Sequence, residues 1–324
     1  MSSSLASSNT ICPICGKPLR ANGPLYGVDE LFEMWKPIKF SARTIEEHRQ
    51  QSSQTQMYSC AMCCLDIFLP QILGTPAFYV EAYSLNASLS GPEIFTYSDD
   101  KWDFHEALKC MSASRSALEV GCGPGNFLAM VAQHVQEVRG IEYNEPALEL
   151  ARSKGLKVFR SLEDLDVKKE HFDVAFSFHV LEHVADPVSF LKEMSTWVRP
   201  GGTIGLSVPN QDGPIKYITP CITNMPPHHL TRWRLQTLRT MAEKLGLVVT
   251  HVGYEPLLLQ NHSYYSLHWL NHRFKGGGLA PKLIRRILSR GMNTLFGALI
   301  KLNRKHFRFL CGQSIYVSML KFRE

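Results

Sequence analysis

The sequence lacks several features that would place it in a specialised class at once. A helix needs about 18 to 20 apolar residues to cross a bilayer, and no stretch of the sequence reaches that length. No internal repeat is visible either. Met1–Asn9 is rich in serine and has neither the basic start nor the apolar stretch of a secretory signal. We therefore expect a cytoplasmic protein in which residues 1–10 form a disordered tail.

Acidic residues are missing from one part of the chain. Residues 257–323 contain twelve Lys/Arg and no Asp or Glu, whereas the remainder has 23 basic and 29 acidic residues, a balance of −6. The 324 residues are otherwise of ordinary globular composition, 44% hydrophobic and 20% charged, with the length of about two domains. A basic block on an acidic body predicts an anionic partner, and nucleic acid, a membrane surface and a phosphorylated substrate all remain open.

The nine cysteines include two C-x-x-C pairs, Cys12-Pro-Ile-Cys15 and Cys60-Ala-Met-Cys63. In a cytosolic protein such pairs more often ligate zinc than form disulfides. Two such turns complete a tetrahedron of thiolates with no open position, as in a structural zinc site. We therefore predict a zinc-binding module over residues 11–70, in which Cys64 could replace Cys63 as the fourth ligand. The alternative is a set of reduced, buried cysteines, which the 44 residues between the pairs leave open.

Strands and helices alternate through residues 117–255. Apolar runs such as Ala117–Val120 and Phe172–Phe178 are typical of strands buried on both faces. The alternation predicts an α/β fold with a doubly wound, mostly parallel sheet covered on both sides. We assign residues 71–116 to a helical connector or lid, and residues 117–324 to the main domain with a helical insert at about 257–311.

A glycine turn, Glu119-Val-Gly-Cys-Gly-Pro-Gly125, follows the first of these strands and opens a helix. Glycines let a backbone turn tightly and approach a ligand closely. The pattern departs from the G-x-G-x-x-G fingerprint of dinucleotide sites, and a glycine turn alone is a weak signal. A second acid, Glu142, ends the next strand, where a carboxylate can grip ribose hydroxyls. The alternative for Glu142 is an acid that favours the start of the following helix.

These residues resemble the class I S-adenosylmethionine-dependent methyltransferases, whose hallmark is a seven-stranded Rossmann-like sheet. The stretches Gly140–Asn144, Phe172–His183, Leu191–Gly202 and Pro227–Leu230 agree with that family. The resemblance covers roughly residues 71–255 and the last strand. It is specific for fold and cofactor, and not for the substrate.

The resemblance implies a site for S-adenosylmethionine. Glu119, Gly121, Gly123 and Gly125 would line its methionine part, and Glu142 would hold its ribose. Five residues complete the implied site: Ser161, Leu162 and Glu163 near the adenine, and His179 and Val180 at the amino group or the face of the cofactor.

Sugar C-methyltransferases resemble this chain in the order of their motifs: two C-x-x-C pairs, a proline, tyrosines and then the glycine turn. Their N-terminal module implies a structural Zn²⁺ ion held by Cys12, Cys15, Cys60 and Cys63. In a stretch similar to Pro227–Leu230 these enzymes carry a histidine proposed as a base, which corresponds to His229, while His228 stands where they carry an acid. We take both histidines as candidate catalytic residues; the alternative is that one of them orients the helix that follows.

The basic block contains an amphipathic helical pattern over residues 281–302. Its apolar residues recur at helical spacing, and its Lys and Arg residues lie largely off that stripe. Such a helix can lie on an anionic membrane surface, which would make the protein peripheral. It can equally pack as a lid over the acceptor site or in the core, and we favour that interpretation.

The leading hypothesis is a methyltransferase acting on a small molecule such as a sugar or a glycan or lipid-linked intermediate. Methylation of rRNA or tRNA is second, because the block lacks a recognisable RNA-binding motif and basic charge alone gives mostly nonspecific phosphate contacts. A third hypothesis, from another class, is a cofactor-binding protein without catalysis that docks through its zinc module.

Overall fold

The structure is a computed structural model. It describes residues 10–35, 38–84, 100–111, 113–257, 259–273 and 311–322, with isolated positions between 287 and 298. The predicted tail lies outside the described residues except for Thr10, and the predicted basic helix at 281–302 lies outside them except for those isolated positions.

The described residues form eleven strands and nine α-helices. The strands are β1 (Leu19–Gly27), β2 (Gln54–Cys60), β3 (Asp66–Leu69), β4 (Ser116–Val120), β5 (Glu137–Ile141), β6 (Val158–Phe159), β7 (Phe172–Phe178), β8 (Val198–Pro209), β9 (Thr231–Arg232), β10 (Leu247–Pro256) and β11 (Cys311–Lys321). The helices are α1 (Val28–Met34), α2 (Ala42–Gln51), α3 (Pro76–Ser84), α4 (Trp102–Leu108), α5 (Asn126–Val131), α6 (Glu145–Ser153), α7 (Pro187–Trp197), α8 (Leu235–Lys244) and α9 (Leu259–Arg273).

Seven strands form one large sheet in the order β10-β11-β8-β7-β4-β5-β6. The pairings from β6 to β8 are parallel, and β11 is antiparallel to both of its neighbours, so six strands run one way and β11 runs against them. This confirms the predicted α/β class and the seven-stranded, mostly parallel sheet. The carboxyl ends of its parallel strands meet at one edge, where such folds bind ligands.

Local sequence explains where the crossover helices begin. Asn144 caps α6 by accepting a hydrogen bond from the Ala147 amide, with a proline in the first turn. Asp186 caps α7 through the amides of Val188 and Ser189, again ahead of a proline. Both caps satisfy amides that a helix start leaves without partners. They fix the exits of the loops that follow β5 and β7.

A second, four-stranded sheet has the order β1-β2-β3-β9. Its first three strands come from the cysteine-containing region, and β9 comes from far along the chain. Helices α1 to α3 cover this sheet with an aromatic core that includes Phe32, Trp35 and Phe78. The N-terminal region is therefore joined to the main domain by strand pairing.

Side-chain packing strengthens that junction. Cys12, Ile14, Cys60 and Leu65 belong to the same buried cluster as Leu238 of α8 and the centre of the large sheet. Two backbone carbonyls at the second cysteine pair accept hydrogen bonds from α8 and the residue before it: Thr237 donates to Cys63 (2.8 Å) and Arg234 donates to Cys64 (2.6 Å). The second cysteine pair is thus fixed against the main domain.

Among the described helices, none combines the length and the apolar character that a membrane crossing requires.

Candidate cofactor and acceptor site

The glycine turn connects β4 to α5 at the carboxyl edge of the large sheet. Gly121, Gly123 and Gly125 adopt positive φ angles of 79°, 52° and 77°. A Cβ on Gly121 would lie 2.3 Å from a methyl carbon of Val180, and one on Gly125 would lie 2.4 Å from Leu156. Both the positive φ angles and the lack of space exclude a side chain larger than hydrogen, so the turn requires glycine at these two positions. Val180, after β7, packs directly on the turn.

Glu142, just past the end of β5, holds the glycine turn in place. One carboxylate oxygen accepts a hydrogen bond from the Gly123 amide and the other accepts one from the Asn144 amide, both at 2.7 Å. Burial raises the pKa of Glu142, against the effect of these amide donors. Each carboxylate oxygen has a further lone pair, so Glu142 can still accept hydroxyl groups of a ligand.

Glu119, near the end of β4, is a buried acid with an unused oxygen. Its side chain is 3% exposed, and its Oε2 has no hydrogen-bond partner among the described residues. Burial, together with the nearby acids Glu142 and Asp103, raises the pKa of Glu119 well above its ordinary value. A buried carboxyl oxygen that accepts no hydrogen bond is unfavourable. A ligand ammonium or hydroxyl at this position would supply the missing partner.

His179, directly after β7, lies between two buried acids. Its Nδ1 contacts Glu182 Oε1 at 3.3 Å and its Nε2 contacts Asp103 Oδ2 at 3.4 Å. Burial alone would lower the pKa of His179, but its bonds to the two acids outweigh burial and raise the pKa to about 10. Its backbone has a φ of 54°, a strained conformation for a residue other than glycine.

Three more histidines gather beside this group. One ring nitrogen each of His183, His228 and His229 lies within 4.8 Å of those of the other two. His183 Nδ1 contacts the His228 carbonyl at 2.6 Å, and His228 Nδ1 contacts the Thr223 carbonyl at 2.8 Å, so both Nδ1 atoms carry the proton. Burial lowers the pKa of all three, and they are neutral at pH 7. Neutral rings in this arrangement can accept a proton or ligate a metal ion.

A chain of amides orients His229. Asn224 Nδ2 donates to Gln211 Oε1 at 2.9 Å, which leaves Asn224 Oδ1 to accept from His229 Nδ1 at 3.2 Å. The proton of His229 is therefore on Nδ1, and its Nε2 carries a lone pair 3.9 Å from Glu182 Oε1. This is the tautomer that a general base requires.

The other predicted cofactor residues lie after β6. Ser161 caps a short 3₁₀ helix at Leu162–Asp164 and bonds the Asp164 side chain at 3.0 Å. Leu162 is buried and Glu163 is exposed. Because β6 is at the end of the order β4-β5-β6, these residues lie farther along the same carboxyl edge than Glu142.

The four predicted metal ligands form a compact group. The sulfur atoms all lie within 4.8 Å of one another; they belong to Cys12, Cys15, Cys60 and Cys63. Cys12 Sγ is 3.5 Å from Cys63 Sγ and Cys15 Sγ is 3.3 Å from Cys60 Sγ, too far for disulfides. Four thiols in reach of one centre fit a tetrahedral Zn²⁺ ion without an open position.

The two C-x-x-C turns share one backbone conformation. In the first, the Gly16 amide donates to the Cys12 carbonyl and the Cys12 amide donates to the Lys17 carbonyl. Cys64 and Cys60 make the equivalent bonds in the second turn, the latter to the Leu65 carbonyl. Gly16 and Cys64 both have positive φ, 70° and 62°. Cys64 therefore occupies the position of the glycine that follows a pair, and Cys63 is the fourth member of the group.

Several residues of the site escape sequence reasoning. Two of them are the buried acids Asp103, at the start of α4, and Glu182, and the sequence motifs assign neither of them a ligand. Asn224 and Gln211 orient His229 from a segment without regular strand or helix periodicity. Only Glu182 carried a signal, because it adjoins His183 in the stretch that resembled the methyltransferases.

Comparison with known proteins identifies the main domain. A family model described as a methyltransferase domain matches residues 102–252. The match covers just under half of the chain and shows that this part is similar to the methyltransferase domain family. The match begins at α4, which contributes Asp103, and ends in β10. It includes the glycine turn, Glu142 and the histidine group, so the recognition made from the sequence motifs is confirmed.

Curated relatives match less than half of the chain. A probable S-adenosylmethionine-dependent methyltransferase of Mycolicibacterium smegmatis is 28% identical over 148 residues, 45% of this chain and 56% of the relative. A ubiquinone biosynthesis O-methyltransferase of Stutzerimonas stutzeri is 32% identical over 111 residues, 31% of this chain and 47% of the relative. The chain thus spans about half the length of these relatives. A solved methyltransferase from Archaeoglobus fulgidus aligns with a TM-score of 0.45 and 18% identity, over 67% of this chain and 91% of that one.

The cysteine group gives the first prediction. Cys63→Ser should lower the bound zinc of the purified protein by most of one equivalent, because a hydroxyl is a poor replacement for a thiolate ligand. Cys64→Gly should retain the zinc and raise the free energy of unfolding by up to about 1 kcal/mol, since the left-handed backbone is strained with a Cβ. Metal content by atomic emission and denaturant unfolding measure both effects. Equal zinc loss in the two variants would contradict the assignment.

The His179 contacts give the second prediction. His179→Gln leaves two buried acids without their cation, and removing one partner of a buried pair costs about 3 to 5 kcal/mol. The ring of His179 is 32% exposed, so we expect a loss of about 2 to 3 kcal/mol at pH 6.

The pH dependence of that loss has a definite sign. The pKa of His179 is raised from 6.5 in the unfolded chain to about 10, so its stabilisation is complete below pH 6.5 and is lost as the pH rises through about 10. The stability difference between wild type and His179→Gln should therefore shrink from pH 6 to pH 10 in urea titrations. His171→Gln, a histidine at the opposite end of β7, is the matched control. A difference that stays constant with pH would argue against a charged His179.

Proposed function

We propose that this chain transfers a methyl group from S-adenosylmethionine to a small-molecule acceptor. The observation that carries the proposal is the buried, unpaired oxygen of Glu119 beside the glycine turn and Glu142. Acids at this edge favour a cationic ligand, and the cofactor carries both an ammonium and a sulfonium group. The similarity of residues 102–252 to the methyltransferase domain family supports the same cofactor.

Each residue at the edge has a part in the proposed cofactor site. Glu119 Oε2 would accept a hydrogen bond from the cofactor's ammonium, and the three glycines would let the backbone approach its methionine part. Glu142 would accept the ribose hydroxyls with the lone pairs that its two amide donors leave free. Further contacts are proposed for the adenine from Ser161, Leu162 and Glu163, and for the methionine face from Val180 and the backbone of His179.

The side chain of His179 has a different part in the proposal. Both of its ring nitrogens face acids, so its ring would hold Asp103 and Glu182 in place instead of contacting the cofactor directly. This positions Glu182 next to His229.

His229 is the proposed general base. The bound cofactor supplies the electrophilic methyl group. His229 Nε2 takes the proton of the acceptor as the acceptor attacks the methyl carbon. The amide of Asn224 holds the ring in the required tautomer. His228 lies beside His229 but uses its Nδ1 on a backbone carbonyl. Its proposed part is to exclude water and to pack against His229, whose ring centre lies 4.3 Å away.

A sugar, or a glycan or lipid-linked intermediate, is the proposed acceptor class. The N-terminal cysteine group supports this choice, because the sequence shares its order of motifs with sugar methyltransferases. The relative from Stutzerimonas stutzeri is named an O-methyltransferase, which favours a hydroxyl as the group that receives the methyl. His229 suits such an acceptor, since a hydroxyl must lose its proton as it is methylated.

The four thiols are proposed to hold a structural Zn²⁺ ion. The carbonyl of Cys63 accepts a hydrogen bond from Thr237, and that of the adjacent Cys64 accepts one from Arg234. The ion would therefore fix β2 and β3 against α8 and take no part in the chemistry.

The cofactor site gives the third prediction. Glu142→Ala should weaken S-adenosylmethionine binding by about ten- to a hundredfold, because hydrogen bonds to a charged group contribute about 1.5 to 3 kcal/mol and the variant also frees the glycine turn. Isothermal titration calorimetry measures the affinity. Glu149→Ala, on the exposed face of α6, is the control and should bind as wild type does. Unchanged affinity in Glu142→Ala would contradict the ribose assignment.

The base gives the fourth prediction. His229→Gln should lower turnover by about 10²-fold or more, the usual contribution of a general base, while the affinity for S-adenosylmethionine stays within about twofold. The assay follows labelled methyl groups from the cofactor into fractions of a cell extract, with and without nuclease. His171→Gln again serves as control.

Three outcomes of that assay would count against the proposal. Unchanged turnover in His229→Gln would remove the base, and label in a nuclease-sensitive fraction would favour an RNA acceptor. Cofactor binding without transfer to any fraction would favour a non-catalytic docking protein.

A further inference from the structure

A cavity of about 240 Å³ lies between the small sheet and the segment that follows β8. Ligand pockets start at about 300 Å³, so this volume suits a small group. One wall comes from β1 to β3, including Asn22, Tyr26 and Phe68. The opposite wall comes from residues 211–225 and from Arg232 of β9. The cysteine-containing region and the methyltransferase domain therefore build the cavity together.

The charges on the cavity lining have one sign. Lys216 and Arg232 are part of the lining, and the lining residues include no Asp or Glu. The remaining polar groups are the amides of Asn22, Gln211 and Asn224 and the hydroxyls of Tyr26 and Thr219. A cavity lined by two cations, amide donors and hydroxyls suits a ligand with an anionic oxygen group.

Arg232 has no acid in ion-pair contact among the described residues, and Asp66, its register partner on β3, acts on it only through its charge. Its Nε and Nη2 donate to the Asn224 carbonyl at 3.0 and 2.8 Å, and its guanidinium lies 5.2 Å from the Phe68 ring centre. Its Nη1 faces the Met57 sulfur at 3.2 Å, and sulfur is a weak acceptor. Among the ion pairs of the described chain, none involves Arg232. Mostly buried arginines are normally paired, and burial lowers the pKa of this one.

Lys216 places a second positive charge at the cavity. Its ammonium donates to the Asp212 carbonyl at 2.9 Å and lies 5.2 Å from the Tyr217 ring centre. The residue is exposed, so it belongs to the mouth of the cavity while Arg232 belongs to its interior. A ligand anion would meet Lys216 first and Arg232 at its final position.

The cavity is linked to the proposed base. Gln211 and Asn224 line it, and the same two side chains form the chain that holds His229 Nδ1. Arg232 in turn bonds the carbonyl of Asn224. A molecule held in the cavity would therefore contact the two side chains that orient the ring of His229.

We propose that this cavity binds an anionic oxygen group of the methyl acceptor, a phosphate or a carboxylate, with Arg232 as its main partner and Lys216 at the entrance. The inference rests on the proposed function in so far as the bound molecule is the acceptor. The planar fork of Arg232 can donate two parallel hydrogen bonds to either kind of group. The acceptor class is thereby narrowed from small molecules in general to those that carry a phosphate or a carboxylate.

The test measures anion binding without methyl transfer. Inorganic phosphate and, separately, acetate are titrated into the full chain and followed by NMR or calorimetry. Tighter binding of phosphate points to a phosphorylated acceptor, and tighter binding of acetate points to a carboxylated one. Arg232→Met should weaken the preferred anion at least tenfold, and Lys216→Glu should weaken it several-fold. Lys192→Glu, the same charge reversal on the exposed face of α7, should leave the affinity unchanged.

The two variants separate the outcomes. Arg232→Met also removes bonds to Asn224, so its fold is checked by the affinity for S-adenosylmethionine. Lys216→Glu is an exposed substitution that tests the same charge if Arg232→Met does not fold. The proposal is overturned if neither anion binds the wild type, or if Lys216→Glu and Lys192→Glu bind alike. Anion binding that depends on Lys216 and Arg232, in a protein that transfers no methyl group, would retain the anion site and reject the proposed function instead.

Discussion

The ring of His179 separates two buried acids, and the geometry of the whole carboxyl edge depends on that contact. Asp103 comes from α4, Glu182 follows β7, and both side chains are almost fully buried. Without a cation between them, two charged acids would repel each other and push α4 away from the segment after β7. The histidine that contacts both acids has a left-handed backbone conformation directly after the strand. The strained residue thus holds Glu182 in place, and Glu182 lies beside His229.

The small sheet reaches the same site by a continuous path of short contacts. The second cysteine pair bonds Thr237 and Arg234 through its carbonyls, and Arg234 also pairs with Asp66 of β3 at 3.0 Å and with Asp212 at 3.3 Å. Strand β3 pairs with β9, whose Arg232 bonds the residue that orients His229. An ion held by the four thiols would therefore act on the acceptor side of the site by fixing β2 and β3, although it would touch no reacting atom. The cofactor side, built on β4, β5 and β7, does not use this path.

The sequence was informative where a residue's type follows from backbone geometry. Gly121 and Gly125 have positive φ and no room for a Cβ, and Glu142 follows a parallel strand whose end is fixed by the sheet, so their positions are visible as local patterns. The same holds for the two cysteine pairs, whose turns are local structures closed by hydrogen bonds within six residues. The strands at Ala117–Val120 and Phe172–Phe178 were predictable as well, because a buried parallel strand is a short apolar run.

Long-range contacts left no such pattern. Asp103 is one acid in an amphipathic helix start, and only the packing of α4 brings it to His179. Asn224, Gln211 and Arg232 belong to turns and a two-residue strand, whose meeting depends on how β9 joins the small sheet. The choice between Cys63 and Cys64 also required the backbone, because the two differ in conformation and are identical in chemistry. Contacts of this kind are decided by how the elements and turns pack in the fold, and a local sequence pattern does not encode them.

The two halves of the site have opposite electrostatic character, and the proposed reaction uses both. Glu119, Glu142, Asp103 and Glu182 make the cofactor side acidic, whereas Arg232 and Lys216 make the neighbouring cavity basic. Bound S-adenosylmethionine would bring a positive sulfur to this edge, whereas the spent cofactor would carry a neutral thioether there. Its attraction to the acids would then fall by the contribution of that charge, while an anionic group in the cavity would keep its partners. On the proposed function, the acids would therefore favour the cofactor before transfer over the cofactor after it.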